Sequence, residues 1–150
     1  MARLARSWLI AGVMGGMGCR AAPGGRTGQG SIVISHAAVS VPPAGAPAPA
    51  FLRIENRGSV DDTLWEVESP DADSIVLHTM VGGRMQPLPS LVVSPWSRIR
   101  LRPGSYHLML EGVHRTLAAG DSVTLVLRFA VAGAITVRTP VLRYSEAVQE

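Results

Sequence analysis

The sequence predicts an all-β chain, an antiparallel β-sandwich of immunoglobulin-like build. Three observations carry this. Apolar-alternating runs recur every ten to fifteen residues or so, bounded by turn signals. The composition is 47% hydrophobic but only 5% aromatic, with 16 Gly and 11 Pro, which suits short strands and tight turns. No segment keeps helical periodicity for three turns. At 150 residues the chain is one domain by length, and long enough to bury a core.

The elements follow in order. Residues 1–19, MARLARSWLIAGVMGGMGC, have the parts of a signal peptide: Arg3 and Arg6, then an apolar run from Trp8 to Met17, then small residues. The run is too short to span a bilayer as a helix. Cys19 is the only cysteine, so no intramolecular disulfide can form. Its place at the end of the leader is that of a bacterial lipoprotein cysteine, the lipidated first residue of the mature chain, although Gly16 stands where such signals usually carry Leu. Export to the periplasm or cell envelope, with a lipid anchor in a membrane, is the expectation. Residues 20–30, RAAPGGRTGQG, read as a flexible tether. Residues 31–145 form the sandwich domain.

Within that domain SIVISHAAVSV (31–41) is the first strand. PPAGAPAPA (42–50) is expected to be a loop, because proline cannot donate to a central ladder. FLRIEN (51–56) alternates apolar and polar, NRGSVDD (56–62) is a loop, and TLWEVES (63–69) alternates again. SIVLHTM (74–80) is the next strand. LVVSPW and SRIRLRP follow, then YHLMLEGV (106–113), the turn LAAGD, SVTLVLRFA (122–130) and AITVRTPVL (134–142).

A pI near 10 invites a nucleic-acid reading. Without Arg3 and Arg6 the chain carries 12 Arg against 11 acidic residues, a net charge of +1. There is no lysine, and the arginines are scattered, whereas a nucleic-acid surface needs them clustered. Nucleic acid is therefore not an expected partner, and the protein is expected to be a monomer.

The chemistry concentrates in HTMVGGRM (78–85) and YHLM (106–109). In a strand, residues i and i+2 share a face. His78 and Met80 form such a pair, as do His107 and Met109. Gly82-Gly83 suits a two-residue hairpin turn, because glycine tolerates positive φ. That hairpin would pair Val81 with Arg84 and Met80 with Met85, bringing His78, Met80 and Met85 together. Thioether sulfur is neutral and soft, and holds Cu(I) well and hard cations poorly. From His78 to Met109 there is no Asp or Glu. This removes the ligands of a Ca²⁺ or Mg²⁺ site and the general base of a hydrolytic zinc site. A neutral His/Met set points to copper as Cu(I), with Cu(II) admitted through the imidazoles. A methionine in a strand is usually core filler. Here, however, two His-x-Met units occur, and all three methionines beyond the leader fall in this one carboxylate-free segment.

These residues resemble the periplasmic copper chaperones of the PCuAC family. That signature is a His, a Met after a gap of ten, twenty-one further residues, then His-x-Met. Met85 is followed by twenty-one residues and His107-Leu108-Met109, whereas the gap from His78 to Met85 is six. Met80 is then an additional or substitute ligand. Further likeness lies in Asn56-x-Gly58, Asp61-Asp62-x-Leu64, Ser69-Pro70, Leu101-x-Pro103-Gly104-x-Tyr106, and Leu117-x-x-Gly120-Asp121 with Val123-Thr124-Leu125. The resemblance implies a cupredoxin-like sandwich that binds one Cu(I) near its surface through His78, Met85, His107 and Met109. It also implies delivery of copper to an accepting protein, such as the copper-centre subunit of cytochrome c oxidase or another copper chaperone, in oxidase assembly. His36 and His114 match no metal role.

Other function classes fare less well. A blue-copper redox site needs a cysteine thiolate in the domain, and Cys19 lies before it. No G-x-S-x-G elbow or phosphate-cradling loop is present. The pairs Asp61/Asp62 and Asp71/Asp73 read as solvated turns. A copper-binding protein, not an enzyme, is the leading expectation. The alternative is a metal-free envelope lipoprotein with an assembly or adhesion role.

Overall fold

The computed structural model describes residues 31–149. The leader, Cys19 and the tether lie outside the described residues. Ten strands and one short helix follow in chain order: β1 (Ile32–Ser40), β2 (Ala48–Asn56), β3 (Asp62–Glu68), β4 (Ala72–Val81), β5 (Arg84–Pro87), β6 (Leu91–Val93), β7 (Ser97–Leu101), β8 (His107–Val113), β9 (Ser122–Phe129), β10 (Gly133–Leu142) and α1 (Tyr144–Ala147). They pair in the order β5-β4-β8-β2-β1-β10-β9-β3-β6, with β7 also on β2. The expected β-sandwich is borne out.

One layer is β1, β2, β4, β5, β7 and β8; the other is β3, β6, β9 and β10. β1 joins them. Both its halves pair antiparallel with β2, and the second also pairs parallel with β10 at Val39↔Val141. Between these halves the register steps from Ser35↔Arg53 to Ala38↔Phe51, one extra residue on β1. His36 sits in this bulge at φ 52. A bulge bends a strand and increases its twist, which lets β1 leave one layer for the other. His36 is thus a residue of the bend.

The core is built by alternation. In β9 the residues Val123, Leu125, Leu127 and Phe129 are buried while their neighbours are not. They meet Leu52, Ile54, Leu108 and Leu110 of the other layer in one continuous cluster. At roughly 1.5–3 kcal/mol for each large apolar side chain, such burial is the main favourable contribution to folding. α1 adds a smaller cluster, Ala147 against Ala38 and Phe51.

Two expectations are corrected. The loop expected over 42–50 ends early: β2 starts at Ala48, and Pro49 pairs with Met109. The β1–β2 ladder stops at Val39↔Ala50, one residue short of Pro49, so the missing N–H is not called on from that side. Asp62 is not in a solvated turn. It is buried, and its carboxylate accepts from the Val131 and Ala132 amides at 2.8 and 2.9 Å.

Candidate metal centre

Strand register places all five predicted donors on one face. Cross-strand partners share a face. Met80 pairs with Met85 and Val81 with Arg84 across the β4–β5 turn, as the Gly-Gly spacing predicts. Gly82 and Gly83 have φ of 57° and 75°, the two positive values a type I′ turn requires. On the other side of β4, His78 pairs with His107 and Val76 with Met109. Leu77, Leu108 and Leu110 alternate with these residues and point into the core. The donors therefore occupy the outer face of the first layer.

The two imidazoles form the centre of the group. His78 and His107 are both buried, stacked at 5.6 Å between ring centroids with 23° between planes. His107 Nδ1 lies 2.9 Å from the Ser105 carbonyl. A carbonyl only accepts, so Nδ1 carries the proton and the neutral ring presents a lone pair at Nε2. That nitrogen faces Met85 Sδ at 2.9 Å. In that neutral form two electron-pair donors converge with no proton of their own between them. His78 Nδ1 is buried with no hydrogen-bond partner. A buried polar atom left unsatisfied is costly, unless something outside the chain's own hydrogen bonds takes its lone pair. Burial holds the His78 imidazole below its ordinary pKa; the positive charge of a protonated His107 acts the same way, and Glu111 opposes both. Neutral imidazole is the form that binds metal.

The remaining donors flank this pair. Met80 and Met85 lie on the hairpin side, Met85 being 51% exposed and Met80 half-buried. Met109 is half-buried on the other side, two residues beyond His107. The short hairpin does not keep Met85 away: its sulfur reaches across β4 to the β8 imidazole. Among the described residues no three His, Cys, Asp or Glu side chains gather as a metal cluster, so a centre here has to be completed by methionine sulfur. His114 is elsewhere, bonded through Nε2 to Asp73 at 2.9 Å.

Sequence reasoning missed two features of the site. One is the Ser105 carbonyl that sets the His107 tautomer, two residues before the histidine. The other is the direct His78↔His107 pairing. Alternation marks both strands but does not say that they are neighbours.

Comparisons with known proteins bear on the family and the fold. The model of the LpqE-like lipoprotein family matches residues 32–141. The chain belongs to the LpqE-like family. A protein named as a lipoprotein, Lxx21020 of Leifsonia xyli subsp. xyli, is 31% identical, over 97% of this chain and 93% of its own length. Among solved structures, the copper-bound PCuAC domain of PmoF2 is similar at 25% identity and a TM-score of 0.68, covering 76% of this chain and 94% of that domain. The Cu(I) form of DR1885 from Deinococcus radiodurans shares the fold at 22% identity and a TM-score of 0.63, covering 85% of this chain and 84% of that one. The resemblance to PCuAC domains read from the motifs is thus borne out, and this LpqE-like chain has their β-sandwich fold.

Proposed function

We propose that this LpqE-like protein is an exported copper chaperone, a binding protein that carries Cu(I) as cargo. The observation that carries the reading is the contact between Met85 Sδ and His107 Nε2, beside the unpartnered Nδ1 of His78. His78, His107, Met85 and Met109 are the ligands, and Met80 is the substitute donor on the hairpin. All are neutral and soft or borderline, which selects copper over hard cations. The similarity to copper-bound PCuAC domains supports the same metal.

The site has a buried half and an exposed half, and this gives it a way to release its cargo. The imidazoles are buried while Met85 stands at the rim. An incoming acceptor ligand displaces the exposed thioether first and the imidazoles afterwards. The acceptor is a copper-binding protein of the envelope, such as a subunit that carries an oxidase copper centre. Cys19 is the lipidated residue that holds the chaperone at a membrane.

The test is anaerobic titration of the mature protein with Cu(I), in competition with a chromogenic chelator. A His107→Ala, Met109→Leu double variant is measured beside it. One tightly held equivalent, lost in the variant, supports the reading; transfer to a purified acceptor domain then tests delivery. Binding no stronger than the variant's would overturn it, leaving the metal-free envelope lipoprotein.

A further inference from the structure

One end of the sandwich carries exposed apolar side chains that the metal centre does not use. Val60, Trp96 and Val131 are 58%, 75% and 66% exposed. They stand on three separate connections: between β2 and β3, between β6 and β7, and between β9 and β10. Two buried polar side chains tie these connections together. Asn56 Nδ2 donates to the carbonyls of Val60 and Val93 at 2.8 and 2.9 Å. Asp62 accepts from the amides of Val131 and Ala132, and pairs with Val93 in the β3–β6 ladder. Ser97 N–H and Oγ both donate to the Ser94 carbonyl, closing the turn that holds Trp96 at φ 55. A bulky residue is seldom found in that left-handed region, and here it leaves the indole standing in solvent. The molecule thus holds three apolar tips in fixed relation at one end.

The chain itself says what meets that end. Ser31, the first described residue, lies there: its carbonyl accepts from Arg57 N–H at 2.7 Å. Cys19 is twelve residues earlier, and twelve residues reach at most about 40 Å even when fully extended. A lipid on Cys19 therefore tethers the sandwich by this end, with the bilayer no more than that distance from it. Tryptophan is the side chain most at home at a membrane interface, where its apolar ring and polar N–H each find a suitable medium. The charges nearby are balanced: Arg57 and Arg98 share Glu55 at 3.1 and 3.5 Å, and Asp61 is exposed. The contact is therefore one of apolar insertion more than of attraction to anionic headgroups.

We infer that Val60, Trp96 and Val131 rest in the lipid surface to which Cys19 is anchored, and dock the sandwich in a fixed orientation. The inference rests on the lipoprotein reading of Cys19. It has a consequence for the cargo. β4 and β2 are both antiparallel to β8, so they run the same way, and the Gly82-Gly83 tip points to the same end as the apolar cluster. Docking turns the hairpin that carries Met85 toward the membrane, where a membrane-embedded acceptor would meet it.

The test uses the mature lipidated protein in phosphatidylcholine nanodiscs with brominated acyl chains, which quench indole at short range. Mass spectrometry of Cys19 comes first. In Trp65→Phe the remaining indole of the mature chain is Trp96; in Trp96→Phe it is Trp65. The expected result is a blue shift and loss of Trp96 emission in brominated discs, with Trp65 emission unchanged. A chain without an acyl mass on Cys19 would overturn the anchor and the inference together. An acylated chain whose Trp96 is unquenched would overturn the docking alone. Shielding of Trp96 from a soluble quencher only when envelope proteins are added would assign the cluster to a protein partner and also overturn it.

Discussion

Replacing Met85 by leucine removes one sulfur and little else. Every residue of β5 is exposed, and leucine occupies nearly the same volume. The fold should therefore lose no more than about 0.5 kcal/mol, as for other surface changes. The metal should lose far more. Met85 Sδ is the sulfur seen against an imidazole nitrogen, 2.9 Å from His107 Nε2. Removing a group that merely supports a ligand already costs about 10–100-fold in metal affinity. Removing the ligand itself should cost at least about tenfold, or ~1.4 kcal/mol. Met80→Leu, at the substitute donor, should cost less. The assay is anaerobic competition for Cu(I) against a chromogenic chelator, with a urea unfolding curve of each apo variant as control. Unchanged affinity in Met85→Leu, with an unchanged unfolding curve, would refute the ligand assignment. A larger loss in Met80→Leu than in Met85→Leu would move the hairpin ligand to Met80.

Other outcomes follow from the same structure. Burial lowers the His78 pKa, so its stabilising effect is full above the ordinary histidine value of about 6.5 and is lost as pH falls toward the folded value. The unfolding free energy of the apo protein should thus rise with pH through that window, and His78→Leu should flatten the slope, read by urea unfolding at several pH values. Asp62→Ala strands the Val131 and Ala132 amides, and should cost about 2–6 kcal/mol at roughly 1–3 per orphaned group, measured by the same unfolding. Leu108→Ala opens a cavity beneath the site and should cost about 2–5 kcal/mol. Gly83→Ala puts a Cβ on a residue at φ 75; the penalty is about 1–2 kcal/mol, and a weaker Cu(I) affinity should accompany it if the turn sets the Met85 position.

The sequence by itself determined what is local. Period-two alternation in 122–130 marks β9, because buried and exposed positions must alternate along a strand between core and solvent. Gly82-Gly83 fixed the turn, and with it the pairing of Met80 with Met85, because a two-residue loop leaves one register available. The donor chemistry was legible too, since softness belongs to the side chain wherever it sits. Tertiary structure decided what depends on strands distant in sequence. The His78↔His107 pair exists because β8 lies between β4 and β2, and no feature of either strand names its neighbour. The same applies to Asp62. Beside Ser59 and Asp61 it reads as a solvated turn, and only the arrival of the β9–β10 connection supplies the two amides that make burying a carboxylate tolerable. Pro49 shows the limit from the other side: proline forbids a donated bond, but whether a bond is needed there depends on where the neighbouring ladder ends.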